Sequence, residues 1–170
     1  MKNFLSDLLP ALQALRIFSR TVFIADSKYF DFTTPGTAKV LMGAVDIPRL
    51  GPNSNLNLMA YFNITSSATP KVISVYWGPN GNDTDILIAN LTLTNVSSLV
   101  FVRDYTNNNS VNSQSSANLS GTSSYGTQSA TSISQFAVNT AVPTKVSIYG
   151  TAANAPDTIR LFNVIAQVGI

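Results

Sequence analysis

Hydrophobic positions fall into two patterns along this chain. Near the start, Leu5, Leu8, Leu12 and Leu15 recur at alternating spacings of three and four, and Val22 returns to the same face. That spacing places them on one side of a helix over residues 1 to about 24, with Ser6 or Asp7 as cap and Pro10 tolerated near the first turn. From about residue 38 the period changes to two. Ala38, Val40, Met42 and Ala44 share one face of a strand that ends at Ile47-Pro48. Leu56, Leu58, Ala60 and Phe62 alternate with Asn57, Met59 and Tyr61, the signature of a half-buried strand. Further strands are expected over 72–77, 86–93, 98–105, 132–139, 144–149 and 158–168. Asn, Gly, Pro and Ser punctuate them, as at Leu50-Gly51-Pro52-Asn53-Ser54-Asn55 and Gly78-Pro79-Asn80-Gly81-Asn82, where Asn80-Gly81 is the preferred dipeptide of a tight hairpin.

Strands at this regular spacing predict an all-β fold, a jelly-roll-like antiparallel β-sandwich with a short N-terminal α-helical arm. The chain divides into the arm (1–24) and the body (25–170). Within the body, 106–130 is rich in Asn, Ser, Thr and Gly and reads as a long polar loop containing a short strand. The arm either packs on the body's own sheet or pairs with sister arms or a larger particle. Leu5, Leu8, Leu12 and Leu15 are its candidate anchoring and oligomerisation residues.

Composition narrows the chemistry. Only 11% of the 170 residues are charged, the net charge is +2, and there is no His, Cys or Glu. Ser-His and Cys-His nucleophiles are therefore impossible, and disulfides and thiolate metal sites are absent. Lysines and arginines are scattered, with no basic cluster to follow a phosphate backbone, so nucleic acid is not an expected partner. No stretch reaches the roughly 18 apolar residues of a membrane span, and neither an export signal nor a membrane partner is expected. So few charges among so many amides and hydroxyls point to contact surfaces, not catalysis.

Two constellations remain. Asn80-Gly81-Asn82-Asp83-Thr84-Asp85 is rich in oxygen ligands, and the Asp83–Asp85 pair evokes calcium or glycoside chemistry, but hairpin-turn chemistry explains the same residues. No metal or cofactor is expected. The aromatics Tyr76, Trp77, Tyr105, Tyr125 and Tyr149 would stack on sugar rings if they shared an exposed face. Trp77, Tyr105 and Tyr125 are the candidate ligand or neighbour contacts; packing at the sandwich rim is the alternative for Trp77, and Tyr125 stands isolated among Ser and Gly.

Asp46-Ile47-Pro48, Leu50-Gly51-Pro52-Asn53 and Val75-Tyr76-Trp77-Gly78 resemble, in that order, the opening half of a group of tailed-bacteriophage structural proteins. Val146-Ser147-Ile148-Tyr149-Gly150, Asn154-Ala155, Asp157-Thr158-Ile159 and the apolar C-terminal strand resemble the closing half. The likeness covers residues 38–170. It implies a virion component with a jelly-roll-like body, often trimeric, that decorates heads or sits on tails. The expectation is a non-enzymatic capsid decoration or cement protein whose partners are its own copies and the major capsid protein. A tail fibre tip that recognises host polysaccharide and a free carbohydrate-binding module are the alternatives.

Charge placed in the leucine stripe separates the two roles of the arm. Leu8→Asp with Leu12→Asp is expected to abolish assembly, measured by light scattering, while the β-type circular dichroism persists. Unchanged assembly would reduce the stripe to packing on its own body.

Overall fold

The computed structural model describes residues 22–33, 37–117 and 133–169. Its strands are β1 (Val22–Thr33), β2 (Val40–Ile47), β3 (Asn55–Ile64), β4 (Lys71–Gly78), β5 (Ile86–Leu93), β6 (Ser98–Asn107), β7 (Gln114–Ala117), β8 (Ile133–Phe136), β9 (Thr144–Ala152) and β10 (Ile159–Gly169). They form two antiparallel sheets, ordered β1-β10-β3-β6-β7-β8 and β2-β9-β4-β5. The chain changes sheet between β1 and β2, β2 and β3, β3 and β4, β5 and β6, β8 and β9, and β9 and β10, a jelly-roll-like winding.

Alternation builds the core. Leu56, Leu58, Ala60 and Phe62 of β3 face Ile73, Val75 and Trp77 of β4 and Val146 and Ile148 of β9 across the sandwich, all buried. Two bulges change which positions point inward. In β10 the register slips between Leu161 and Asn163, so Ile159 and Leu161 are followed inward by Val164, Ala166 and Val168. In β2 it slips between Leu41 and Gly43, so Met42 is followed inward by Val45 and Ile47. The expected face of Ala38, Val40, Met42 and Ala44 is therefore corrected: Ala38 is exposed, and Val40 and Ala44 are only half-buried.

The N-terminal boundary also differs from expectation. Val22, placed on the helical face, opens β1, and β1 pairs with β10 from Val22↔Gly169 to Thr33↔Arg160. The β-branched and aromatic run Val22-Phe23-Ile24 favours that extended pairing. Leu5, Leu8, Leu12 and Leu15 lie outside the described residues, as does the helix expected there.

The turns are held by side chains. Gly51 N donates to Ser54 Oγ (3.0 Å) and Ser54 N donates to Gly51 O (3.2 Å). The connection over 79–85 is wider than the two-residue hairpin that Asn80-Gly81 advertises. The Asp85 carboxylate accepts the amides of Asn80 (3.2 Å), Gly81 (2.7 Å) and Asn82 (3.3 Å), and Gly81 takes φ 68°. At one end of the sandwich Lys71, fully buried, donates to Ser67 Oγ (2.8 Å), and Ser67 Oγ donates to Asp157 (2.7 Å). Lys71 and Asp157 complete a buried ion pair at 3.8 Å, fastening the β3–β4 loop to the β9–β10 loop.

The polar stretch is ordered as far as it is described, and β7 is its short strand. Gln114, fully buried, donates to Asn107 Oδ1 (3.0 Å) and Val138 O (3.1 Å) and accepts from Val138 N (2.9 Å). Asn107 in turn donates to Gly51 O (2.6 Å) and Thr140 Oγ1 (3.0 Å). Removing one member strands the others in a dry interior. Gln114→Ala is therefore expected to destabilise by about 2–4 kcal/mol in denaturant unfolding. A loss under about 0.5 kcal/mol, typical of a surface glutamine, would contradict the network.

Candidate functional site

The aromatic candidates separate by strand parity. Trp77 shares the inward parity of Ile73 and Val75; it is 0% exposed and its Nε1 donates to Thr144 Oγ1 (2.8 Å). Tyr105 shares the inward parity of Phe101 and is 1% exposed. Its ring meets Trp77 edge-on at 5.7 Å and Phe136 at 5.8 Å, and burial drives its phenol well above the usual tyrosine pKa. Contact of Trp77 or Tyr105 with a ligand is thereby corrected: both are core. Tyr125 lies outside the described residues.

Tyr76 and Tyr149 have the opposite parity and stand together on the outer face of the four-stranded sheet. Tyr76 pairs with Ser147 and Tyr149 with Ser74, so the two rings are diagonal neighbours on β4 and β9. They meet edge-to-face, 5.6 Å apart at 85°. Lys39, just before β2, lies over both rings at 4.7 and 5.0 Å. Its ammonium donates to Tyr76 Oη (2.9 Å) and to Asp83 Oδ2 (2.8 Å). The Asp83 hydrogen bond, then that of Tyr76, raises the Lys39 pKa; the hydrogen bond from Lys39 lowers that of Asp83. Burial, followed by the nearby Asp83 charge, raises that of Tyr149. Exposed Leu87 and Leu41 sit opposite Tyr76 and Tyr149 in the ladders, and Ser74 Oγ donates to Asn90 Oδ1 (2.9 Å) beside them.

This arrangement is suited to holding a flat, partly apolar ligand with hydroxyls at its rim. The acidic groups elsewhere are taken up differently: Asp85 serves its own loop amides, and no three acidic side chains converge among the described residues.

A second surface covers the outer face of the six-stranded sheet. Cross-strand register sets Ile165, Met59 and Val102 in one row, and Tyr61 beside Val100 in the next. Val100 is 57% exposed, and Val102 and Tyr61 are each 37% exposed. The runs Leu58-Met59-Ala60-Tyr61-Phe62 and Leu99-Val100-Phe101-Val102 make these strands apolar on both faces, a pattern of sheets covered on both sides. That signal was present in the sequence, beneath the alternation of the inner face.

No known protein family matches the chain, and no curated protein does. Solved structures with a similar sheet arrangement include one of infectious bursal disease virus, Gx strain (6% identity, TM-score 0.40, covering 88% of this chain and 31% of that one). Others are a carbohydrate-binding module, CBM36, in complex with calcium and xylotriose (10%, 0.39, 86% and 92%) and the CBM2 module of the evolved Dit of Lactobacillus casei BL23 phage J-1 (8%, 0.39, 73% and 67%). This chain spans under a third of the viral chain's length. These are likenesses of architecture alone.

The Lys39–Asp83 clamp sets a pH window. The lowered Asp83 pKa means that the contact holds above the ordinary carboxylate range and is lost as pH falls through the lowered value. The raised Lys39 pKa means that it holds below the ordinary lysine range and is lost as pH rises through the raised value. The NMR ring resonances of Tyr76 and Tyr149 are expected to move together as pH falls below the ordinary carboxylate range, where the Asp83 contact to Lys39 is lost. Asp83→Asn should remove the acid step; its persistence would place the titrating group elsewhere.

Proposed function

We propose that this chain is a non-enzymatic structural component of a tailed-phage virion, a head decoration protein that acts through contacts with its own copies and with the major capsid protein. The observation that carries the reading is the exposed apolar band of Tyr61, Met59, Val100, Val102 and Ile165 across β3, β6 and β10. A sheet face of this kind is stable when a neighbour covers it. The scarcity of charge and the resemblance of the turns at 46–53 and of Val75–Gly78 to phage structural proteins support the same assignment. In this reading the leucine-bearing N-terminal segment fastens the body to its neighbours, around a threefold axis for a homotrimer.

A second reading is favoured by the Tyr76–Tyr149 pair: a tail tip or carbohydrate-binding module that takes host polysaccharide on the four-stranded sheet. A glycan array separates the two, since a cement protein binds no sugar there.

Val100→Asp with Val102→Asp tests the apolar band without touching the core. The oligomer mass is expected to fall toward that of the monomer, with thermal stability of the body changed by less than about 1 kcal/mol. Antibody-gold labelling of virions should then decorate heads with the parent protein. Gold on tails, or on no particle, would refute the decoration role.

A further inference from the structure

Asn80 is the one asparagine of the chain that is followed by glycine. That dipeptide carries chemistry of its own. A glycine nitrogen, unshielded by any side chain, is free to attack the side-chain carbonyl carbon of the asparagine before it and close a cyclic imide. The bond from Gly81 N to Asn80 Cγ forms and the bond from Cγ to Nδ2 breaks. Nδ2 departs as ammonia, carrying the proton that Gly81 N gives up. Water then opens the imide at either carbonyl and leaves aspartate or isoaspartate at position 80.

The turn over 79–85 holds both reacting nitrogens on one carboxylate. Gly81 N, the nucleophile, donates to Asp85 Oδ2 (2.7 Å), and Asn80 Nδ2, the leaving group, donates to Asp85 Oδ1 (2.9 Å). Asn80 N and Asn82 N donate to the same two oxygens at 3.2 and 3.3 Å, so this carboxylate is the hub of the turn. Gly78 leaves it the room: a Cβ there would collide with the Asp85 carboxyl group.

Neither of the two critical hydrogen bonds survives ring closure. The imide nitrogen carries no hydrogen, and Nδ2 has left. Closure therefore forfeits two charge-assisted bonds, the stronger class in proteins. Asn80 faces solvent and water replaces part of the loss, which sets the expected suppression at roughly tenfold.

We propose that Asn80 is a latent self-modification site, which Asp85 keeps unreacted by binding its nucleophile and its leaving group together. The inference concerns this turn and stands apart from the assembly role. Conversion is irreversible and changes the turn itself. The product has a carboxylate where Nδ2 donated, so a second negative charge faces Asp85 and the turn opens. In the same turn Asp83 Oδ2 accepts from Lys39 (2.8 Å), whose ammonium lies 4.7 and 5.0 Å from the ring centres of Tyr76 and Tyr149. Opening withdraws Asp83 from Lys39, and the modification thereby reaches the aromatic pair.

Peptide mapping by mass spectrometry, after incubation of the full chain at neutral pH, reads the conversion of Asn80 to its acid and iso-acid forms. The native parent is expected to convert slower than the same chain unfolded in urea, by roughly tenfold. Asp85→Ala should bring the native rate up toward the unfolded one. Gly78→Ala keeps the carboxylate but pushes it off the turn amides, and Asn80 should again convert faster; it carries the test should Asp85→Ala fail to fold. Native Asn80 that converts as fast as the unfolded chain would overturn the restraint, as would folded variants that convert no faster than the parent. Converted protein, separated by ion exchange, should show the Tyr76 and Tyr149 ring resonances moved as in Asp83→Asn. Rings that keep their parent positions would refute the link to the aromatic pair.

Discussion

The two inner faces must close on each other before any outer surface has meaning, and Trp77 sits where they meet. Its ring abuts Tyr105 across the sandwich while its indole N–H finds Thr144, so the largest side chain is buried without an unmet donor. Packing of this kind fixes the register of β4 against β9, and register in turn fixes which tyrosines reach the outside. A slip of one residue would send Tyr76 and Tyr149 inward and expose Trp77.

Much of this was legible as alternation. The β3 face, the strands at 72–77, 86–93 and 98–105, and the Gly51–Asn53 turn follow from period and turn chemistry. The bulges in β2 and β10 were not, because an inserted residue is set by cross-strand partners and leaves no mark in the local pattern. Nor was β1: its residues 22–24 continue a helical spacing whose competitor, pairing with β10, lies far along the chain. The aromatic site was half legible. All five aromatics were in view, but parity was needed to assign Trp77 and Tyr105 to the core and to bring Tyr76 and Tyr149 together with Lys39, a residue that carries no motif of its own.

The two outer faces differ in their chemistry. One presents aliphatic side chains in cross-strand rows, suited to broad dry contact; the other presents two phenol rings under an ammonium–carboxylate clamp, suited to a smaller polar ligand. Neither arises from the alternation that builds the core. They occupy the alternate positions that the core leaves free, which is why a single strand such as β4 contributes Trp77 to the interior and Tyr76 to the surface.

The buried amides of Gln114 and Asn107 have a consequence for how such a chain diversifies. They lock the polar stretch to the body at its base, and Ala117 and Ile133 face each other in the β7–β8 ladder just beyond. Asn107, Gln114 and Thr140 must therefore change as a set, because exchanging one alone leaves a buried polar group of the others, or of the Val138 backbone, unmatched.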